Sequence, residues 1–244
     1  MIYFNIIPVT GPDSTNNHLK ALHKQGVLHE GSVILADYQT KGRGRGNNAW
    51  YSGKNLNILM SVLLFPGIQA DRYFFLTEVV SLALTDLLIE MNIKAEIKWP
   101  NDIYVEGRKI AGILIENSLA NDAVETSVIG IGFNINEVTF PTNLPNPVSL
   151  KQIVGKDIER NSLAKKLLEK LKLRYTELRE GQYTKMHSEY NTRLFGRTLW
   201  SKFFYKEQEF EASIISVQEN GEIILETKEG KQKQFSFGEL TMIL

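Results

Sequence analysis

The sequence predicts an α+β protein, a mixed β-sheet flanked by helices and followed by a small C-terminal β-barrel. Up to about residue 195, apolar runs typical of strands alternate with segments of helical periodicity. Beyond it, short alternating segments are separated by Asn-Gly and Glu-Gly turn signals. A chain of 244 residues accommodates one large domain or two smaller ones. We expect two domains, 1–193 and 194–244.

The N-terminal region predicts a strand, a helix and two further strands. The first apolar run, within MIYFNIIPV, lacks a basic segment before it and predicts a strand rather than a signal peptide. Asp13 and Ser14 are favourable helix N-cap residues, and Leu19 and Leu22 follow at helical spacing. The segments SVILADYQ and LNILMSVLLF predict strands on either side of a glycine-rich loop.

The middle of the chain predicts a buried helix and a group of strands. From Arg72 to Met91 the sequence is apolar on most sides, which predicts a central, largely buried helix. A strand over AEIKWPNDIYV and another over RKIAGILIEN are expected to meet at a tight turn, Glu106-Gly107. Further predicted elements are a strand over ETSVIGIGFNIN, an amphipathic helix over SLAKKLLEKLKLRYTELREG that ends at Gly181, and barrel strands over TLWSKFFY, EFEASIISV, EIILETK and KQFSFGEL.

Composition argues against several classes of function. Lys plus Arg and Asp plus Glu number 28 each, so no net positive charge favours nucleic acid or a membrane surface as a partner. No segment approaches the ~18 consecutive apolar residues of a membrane span. The absence of cysteine excludes disulfides, thiolate metal sites and cysteine nucleophiles, and the four histidines lack metal-ligand spacing. We expect a cytoplasmic protein.

Three segments carry unusual chemistry for their structural setting. They are Gln39 with the loop GRGRG (42–46) and Trp50, KWPND (98–102) with the RKIAG that follows, and GIGFNIN (130–136). Alternating glycine and arginine combines backbone freedom with guanidinium groups suited to anions. Each segment also has a structural interpretation: a solvated connection, a proline turn, or close packing in a sheet. GIGFN is not a dinucleotide fingerprint, because it lacks the third glycine and a following helix.

The combination of motifs is more specific than any one of them. In their order and spacing, STNN, DYQTKGRGRG with its tryptophan, KWPND, RKIAGILIE and GIGFNIN resemble the biotin–protein ligases over essentially the whole chain. The resemblance implies a class II synthetase-like catalytic domain and a C-terminal SH3-like barrel. Thirteen residues precede Ser14, too few for the repressor domain of some relatives, so a ligase alone is expected. Lipoate ligases, which share the fold but lack KWPND, and a nucleic-acid-binding module are the alternatives.

The resemblance implies a two-step reaction that uses ATP, biotin and Mg²⁺. The carboxylate of biotin attacks the α-phosphate of ATP and forms biotinyl-5′-AMP and pyrophosphate. A lysine of a biotin carboxyl carrier protein domain then attacks the activated carbonyl and releases AMP. Because the first step joins two anions, positioning and charge neutralisation carry catalysis. The sequence identifies no magnesium ligands, and it leaves open whether the chain forms a homodimer.

The resemblance also implies roles for individual residues. Arg43 and Arg45 are expected to bind phosphate or carboxylate oxygens, and Lys109 to bridge the biotin carboxylate and the α-phosphate. Asp102 has two expected roles, to orient its neighbours or to accept a proton from the acceptor lysine. The expected ligand-binding residues are Ser14, Thr15 and Gln39 at the ureido ring of biotin, Gly42 and Gly112 where the backbone approaches the ligand, Trp50 over the adenine or the closed loop, Asn134 facing the adenylate, and Asn16, Gly44, Lys98, Asn101 and Gly130.

The glycine-rich loop is expected to move. Ordering the residues from Gln39 to Gly46 costs on the order of 10 kcal/mol, which predicts a loop that is mobile without ligand and closes over biotin or the adenylate. Closure would exclude water from an easily hydrolysed anhydride. Some relatives continue this loop with arginines, whereas this chain reads Gly46-Asn47-Asn48-Ala49, so a looser grip on the adenylate is expected.

Overall fold

The computed structural model describes residues 2–46 and 48–243, and Asn47 of the predicted loop lies outside them. The helices are α1 (Thr15–Lys24), α2 (Phe74–Glu90), α3 (Leu150–Val154), α4 (Arg160–Arg179) and α5 (Tyr183–Thr192). The strands are β1 (Asn5–Val9), β2 (Ser32–Ala36), β3 (Ile58–Leu64), β4 (Ile68–Gln69), β5 (Glu96–Lys98), β6 (Asp102–Val105), β7 (Arg108–Ala120), β8 (Ala123–Phe133), β9 (Trp200–Tyr205), β10 (Gln208–Val217), β11 (Ile223–Thr227), β12 (Gln232–Phe235) and β13 (Thr241–Ile243). No helix in the described ranges is long and apolar enough to cross a membrane.

The larger sheet is mixed, as the sequence predicts. Its strands follow the order β1-β2-β3-β8-β7-β6-β5, and β4 pairs with β8 beside this path. β1 and β2 are parallel, and the other neighbours are antiparallel. Side chains alternate between two faces: Ile34 and Leu63 pack with Leu19 of α1, whereas Val33 and Val62 join the core that contains α2 and α4. Helices therefore cover both faces.

The predicted central helix is confirmed with slightly shorter limits. α2 spans Phe74–Glu90, and nearly all of its side chains are buried. A helix that is apolar all round is stable only inside a core. α2 packs against β5, β6 and β7 as well as α4 and α5, so it is the element around which the larger sheet and its helices assemble.

The single strand expected over residues 95–105 is wrong. β5 and β6 form an antiparallel hairpin whose turn contains a cis Trp99–Pro100 peptide bond. Proline fixes φ and has no N–H for a strand ladder, so it ends β5. The turn pairs Lys98 with Asp102 across the hairpin.

The tight turn between β6 and β7 is confirmed. Glu106 and Gly107 have φ of 52° and 72°, the paired positive values of a type I′ hairpin turn. Four elements have no counterpart among the sequence predictions: β4, α3, α5 and β13.

The C-terminal segment forms a five-stranded antiparallel sheet in the order β12-β11-β10-β9-β13. Within the described residues its edge strands β12 and β13 do not pair with each other, so the barrel is open where a closed one is implied by the resemblance. Trp99 Nε1 donates to the Gly221 carbonyl at 2.9 Å. The Phe237 ring lies 5.5 Å from the rings of both Trp99 and Phe74. These contacts make one continuous apolar core across the expected boundary at residue 193.

Candidate active site

A cavity of about 550 Å³ opens among the larger sheet, the glycine-rich loop and the C-terminal sheet. This volume lies within the usual range of small-molecule sites. Among the described residues, fourteen of the sixteen predicted site residues line the cavity. They are Ser14, Thr15, Asn16, Gln39, Arg43, Gly44, Arg45, Trp50, Lys98, Asn101, Asp102, Lys109, Gly112 and Gly130. The structure brings these residues together, and their contacts with a ligand remain predictions.

The N-terminus of α1 forms one wall of the cavity. Ser14 occupies the N-cap position with extended backbone, yet its side chain makes no capping hydrogen bond to any described residue. Instead, Gln39 Oε1 accepts from the Thr15 backbone N–H at 2.7 Å and from its hydroxyl at 3.1 Å. Gln39 thus satisfies the first helix amide, and the Ser14 hydroxyl stays free to face a ligand.

Asn16 is buried and fixed by its neighbours. Its Nδ2 donates to the Leu114 carbonyl at 3.2 Å and to Glu116 Oε2 at 2.8 Å, and its Oδ1 accepts from the Ser61 hydroxyl at 2.6 Å. A Cβ on Gly130 would lie 2.5 Å from Asn16 Oδ1. Gly130 is therefore needed to leave room for the Asn16 side chain, and this packing role does not depend on a ligand.

The Trp50 indole forms the floor of the cavity. A Cβ at Gly112 would lie 2.8 Å from Trp50 Cζ3, and one at Gly132 would lie 2.3 Å from Cε2. Lys109 Nζ lies 5.5 Å from the indole centre, within reach of a cation–π interaction. Gly132 is absent from the predicted site, although its two-residue spacing from Gly130 places both on one side of β8.

Two lysines and one carboxylate converge beside the indole. Lys109 Nζ lies 2.7 Å from Asp102 Oδ1, and Lys98 faces Asp102 across the β5–β6 hairpin. Burial lowers the pKa of Lys98, Asp102 opposes this effect, and Lys109 adds to it. Asn101 Nδ2 donates to the Ile113 carbonyl at 2.7 Å, which fixes the turn against β7. Lys98 and Asp102 therefore sit on a hairpin that is tied to β7, the strand that carries Lys109.

The glycine-rich loop is itself a hairpin. The Trp50 N–H donates to the Gly42 carbonyl at 3.0 Å, and the Gly44 N–H donates to the Asn48 carbonyl at 2.7 Å. A Cβ on Gly42 would lie 2.3 Å from the Trp50 carbonyl oxygen. Gly42 is not among the described cavity-lining residues, so its lack of a side chain serves the closure of the hairpin.

The two arginines of this hairpin differ in their surroundings. Arg43 donates from Nη1 to Asn17 Oδ1 at 2.6 Å and from Nη2 to Glu116 Oε1 at 3.1 Å. Arg45 stacks on Phe237 in the loop between β12 and β13, with its Cζ 4.9 Å from the ring centre. Burial lowers the pKa of Arg45. Among the described residues, no carboxylate lies within ion-pair distance of Arg45, so it is available to an anionic ligand.

Asn134 lies outside the cavity lining that the described residues form. Its buried side chain donates to the Val148 carbonyl at 3.1 Å, and its backbone N–H donates to the Ile110 carbonyl at 2.9 Å. These bonds hold the segment after β8 against β7, so the amide is turned to a structural contact and away from the expected adenylate.

Sequence reasoning missed the contribution of the C-terminal sheet. Its alternating pattern identifies apolar positions, but no local signal shows that its core extends to the cavity. Apolar lining residues from this part of the chain include Phe203, Ile214, Ile223, Leu240 and Met242.

No group of three or more His, Asp or Glu side chains in the described ranges could hold a metal ion. Asp102 is the one acidic residue among the described cavity-lining residues. Mg²⁺ in nucleotide sites is usually held by one or two carboxylates together with substrate phosphates and water. Asp102 fits such a shared site, whereas a metal cage made of protein side chains alone does not fit this cavity.

Two curated proteins are similar to this chain in sequence. A bifunctional ligase/repressor, BirA, of Bacillus subtilis is 32% identical over 218 residues, 85% of this chain and 65% of that protein. A biotin–[acetyl-CoA-carboxylase] ligase of Mycobacterium tuberculosis is 31% identical over 180 residues, 72% of this chain and again 65% of that protein. The chain thus spans 65% of the length of each of these curated relatives.

The fold and the family follow from two further comparisons. The solved structure of a biotin protein ligase from Aquifex aeolicus, in complex with biotin and ATP, superposes with a TM-score of 0.83. The identity is 26%, and the match covers 99% of both chains. Residues 7–134 match the biotin/lipoate A/B protein ligase family, which is more than half of the chain. The chain therefore belongs to the biotin/lipoate A/B protein ligase family.

Proposed function

We propose that the chain is an ATP-dependent ligase that forms biotinyl-5′-AMP and transfers biotin to a lysine of a biotin carboxyl carrier protein domain. The observation that carries the proposal is the cavity itself, where Arg45, Lys98 and Lys109 face a single carboxylate, Asp102. An excess of positive charge in one cavity suits a reaction that joins a carboxylate to a phosphate. The ligase activities for which these relatives are named support the same chemistry.

The first step requires that two anions be held together. Lys109, positioned by Asp102 at 2.7 Å, is placed to neutralise charge between the carboxylate and the α-phosphate. Arg45 supplies a second cation, and its partial burial strengthens its attraction to an anion. Mg²⁺, bound with the phosphates and Asp102, would further neutralise the nucleotide.

The second step requires a proton acceptor for the incoming lysine amine. Asp102 is suited to both expected roles, since it orients Lys109 and is the nearest carboxylate to the cationic cluster. The Trp50 indole and the glycine hairpin would exclude water from the anhydride. We further propose that residues 1–193 carry the chemistry, that residues 194–244 close one side of the site, and that the reaction takes place in the cytoplasm.

A direct assay tests the proposal. The chain is incubated with ATP, Mg²⁺, biotin and a carrier domain, and both biotin-dependent pyrophosphate exchange and labelled acceptor lysine are measured. We expect both signals with biotin and neither with lipoate. Exchange with lipoate alone would establish the lipoyl alternative, and no exchange with either acid would reject the proposal. Steep salt-dependent binding to nucleic acid would favour the remaining alternative.

A further inference from the structure

Glu116 on β7 joins the wall of the cavity to the glycine hairpin. Its Oε1 accepts from Lys20 Nζ at 2.8 Å and from Arg43 Nη2 at 3.1 Å, and its Oε2 accepts from Asn16 Nδ2 at 2.8 Å. Asn16 and Arg43 line the cavity, whereas Glu116 is not among the described lining residues. The carboxylate therefore contacts both parts of the site from behind.

The charge around Glu116 keeps it in its ionised form. Burial alone would raise the pKa of Glu116, but hydrogen bonds from Lys20 and Asn16 and the charge of Arg43 hold it below its ordinary value. The side chain is 24% exposed, so these interactions are only partly screened by water. Since Lys20 is a second cation on the same oxygen, the carboxylate stays compensated if Arg43 moves.

Arg43 has a second fixed partner beside Glu116. Asn17 Oδ1 accepts from Arg43 Nη1 at 2.6 Å, and Asn17 is itself held because its Nδ2 donates to Asp13 Oδ2 at 2.7 Å. The two acceptors lie on α1 and β7, both regular elements of the fold. A glycine-rich hairpin has little rigidity of its own, so these contacts determine where it rests.

We propose that Glu116 is a positioning residue that anchors the glycine hairpin over the cavity, by holding Arg43 with one oxygen and Asn16 with the other. This inference rests on the proposed function and names the group that controls how long the intermediate is retained. Because Glu116 acts through the glycine hairpin, its loss frees the hairpin from the cavity and speeds release of the adenylate. The charges on Lys98, Lys109 and Asp102 stay in place.

The test uses Glu116→Gln, which keeps the shape of the side chain and removes its charge. We expect amide exchange of the described hairpin residues 42–46 and 48–50 to be faster in the chain without ligand. We also expect biotinyl-5′-AMP release and the KM for biotin to rise on the order of tenfold, the scale of one charge-assisted hydrogen bond, with kcat for pyrophosphate exchange nearly unchanged. Glu125→Gln, an exposed glutamate of β8 with no hydrogen-bond partner among the described residues, is the matched control.

A second variant and a double variant separate anchoring from folding. Asn17→Ala removes the other partner of Arg43 and is expected to loosen the hairpin in the same way. Glu116→Gln added to Arg43→Ala is expected to change hairpin exchange little further, because the two residues act together. Hairpin exchange and release equal to those of the unchanged chain overturn the proposal.

Slower release of biotinyl-5′-AMP from Glu116→Gln also overturns the proposal, because it means that Glu116 holds Arg43 away from the ligand. Amide exchange is measured without ligand and so tests the anchor independently of the reaction. Failure of the unchanged chain to make adenylate would reject the proposed function alone.

Discussion

At the residue scale, Ser14 shows how far a local rule reaches. Its position before α1 and its residue type predict an N-cap, and the backbone there is indeed extended. The side-chain contact at this helix end, however, comes from Gln39, which accepts from the N–H of Thr15 and is 24 residues away from it in sequence. A propensity rule identifies the helix start correctly and cannot reveal that a distant amide replaces the expected cap. The Ser14 hydroxyl is thereby left for the cavity.

Lys109 tests the electrostatic part of the proposal. Lys109→Ala is expected to reduce biotin-dependent pyrophosphate exchange about 100-fold, the usual scale for one preorganised charge or donor. Lys156→Ala, an exposed lysine outside the cavity lining, is the control and should keep full activity. Exchange at the level of the unchanged chain in Lys109→Ala would contradict the role assigned here.

A substitution at Gly132 tests whether the Trp50 indole needs the space that this glycine leaves. In Gly132→Ala the new methyl group would meet Trp50 Cε2 at 2.3 Å, so the ring must move. We expect the KM for biotin or ATP to rise on the order of tenfold, measured by pyrophosphate exchange. In a Trp50→Ala background the methyl group no longer meets a ring, so Gly132→Ala should then have a smaller effect. An equal effect in both backgrounds would contradict the steric explanation.

At the element scale, the β5–β6 hairpin answers a question that the sequence leaves open. KWPND has a structural interpretation as a proline turn and a functional one as a site motif. The structure shows a proline turn whose residues also line the cavity. The turn brings Lys98 and Asp102 opposite each other, so the local conformation creates the charge arrangement and the two interpretations describe one feature.

Trp99 tests the contact between this hairpin and the C-terminal sheet. Trp99→Phe retains most of the stacking on Phe237 and removes the 2.9 Å hydrogen bond to the Gly221 carbonyl. We expect the free energy of unfolding in urea to fall by about 1 kcal/mol, the net value of one such bond. Trp200→Phe is the matched control, since Trp200 is exposed and outside the contact. Equal losses in both variants would contradict the assignment.

The predictability of elements follows their periodicity. α2 and α4 have long apolar patterns and were predicted nearly to their ends. α5 was missed because YTKMHSEYNT is mostly polar, and β13 because it has only three residues. The site was predicted through motif resemblance, whereas the apolar wall from the C-terminal sheet depends on how that sheet packs, which no local pattern encodes.

At the scale of the whole molecule, a buried polar chain connects the two parts of the fold. His187 Nδ1 of α5 lies 2.7 Å from Oε1 of Glu78, a fully buried residue of α2. Asn191, one turn later, exchanges two hydrogen bonds with the backbone of Val217 in β10. The sequence predicts an incidental role for His187, since the histidines lack metal-ligand spacing, and its partner Glu78 is 109 residues away in sequence, so no local pattern reveals the contact. It belongs instead to the connection between α2 and the C-terminal sheet.

This chain of contacts predicts a pH dependence of stability. Burial opposes protonation of His187, but the hydrogen bond and charge of Glu78, with a contribution from Glu219, raise its pKa above the ordinary 6.5. Burial also raises the pKa of Glu78. The contribution of His187 to stability is therefore complete below about pH 6.5 and is lost as the pH rises through its raised pKa. The raised pKa of Glu78 likewise makes its contribution to stability fall as the pH rises.

The measurement compares the unchanged chain with Glu78→Gln/His187→Gln, which removes both titrating groups. We expect the difference between their thermal unfolding midpoints to be larger at pH 6 than at pH 8.5. Other titrating groups, including Glu219, are common to both proteins and cancel. A difference that is constant or grows with pH would contradict the linkage.

The stacking of Arg45 on Phe237 has a consequence for motion. Arg43 of the glycine hairpin contacts Glu116 on the larger sheet, and Arg45 contacts Phe237 in the loop between β12 and β13. The hairpin therefore contacts two different parts of the molecule, one through each arginine. The resting position of the hairpin therefore depends on both parts of the molecule, so a substitution in the loop that carries Phe237 is expected to displace the hairpin while Lys98, Asp102 and Lys109 keep their places.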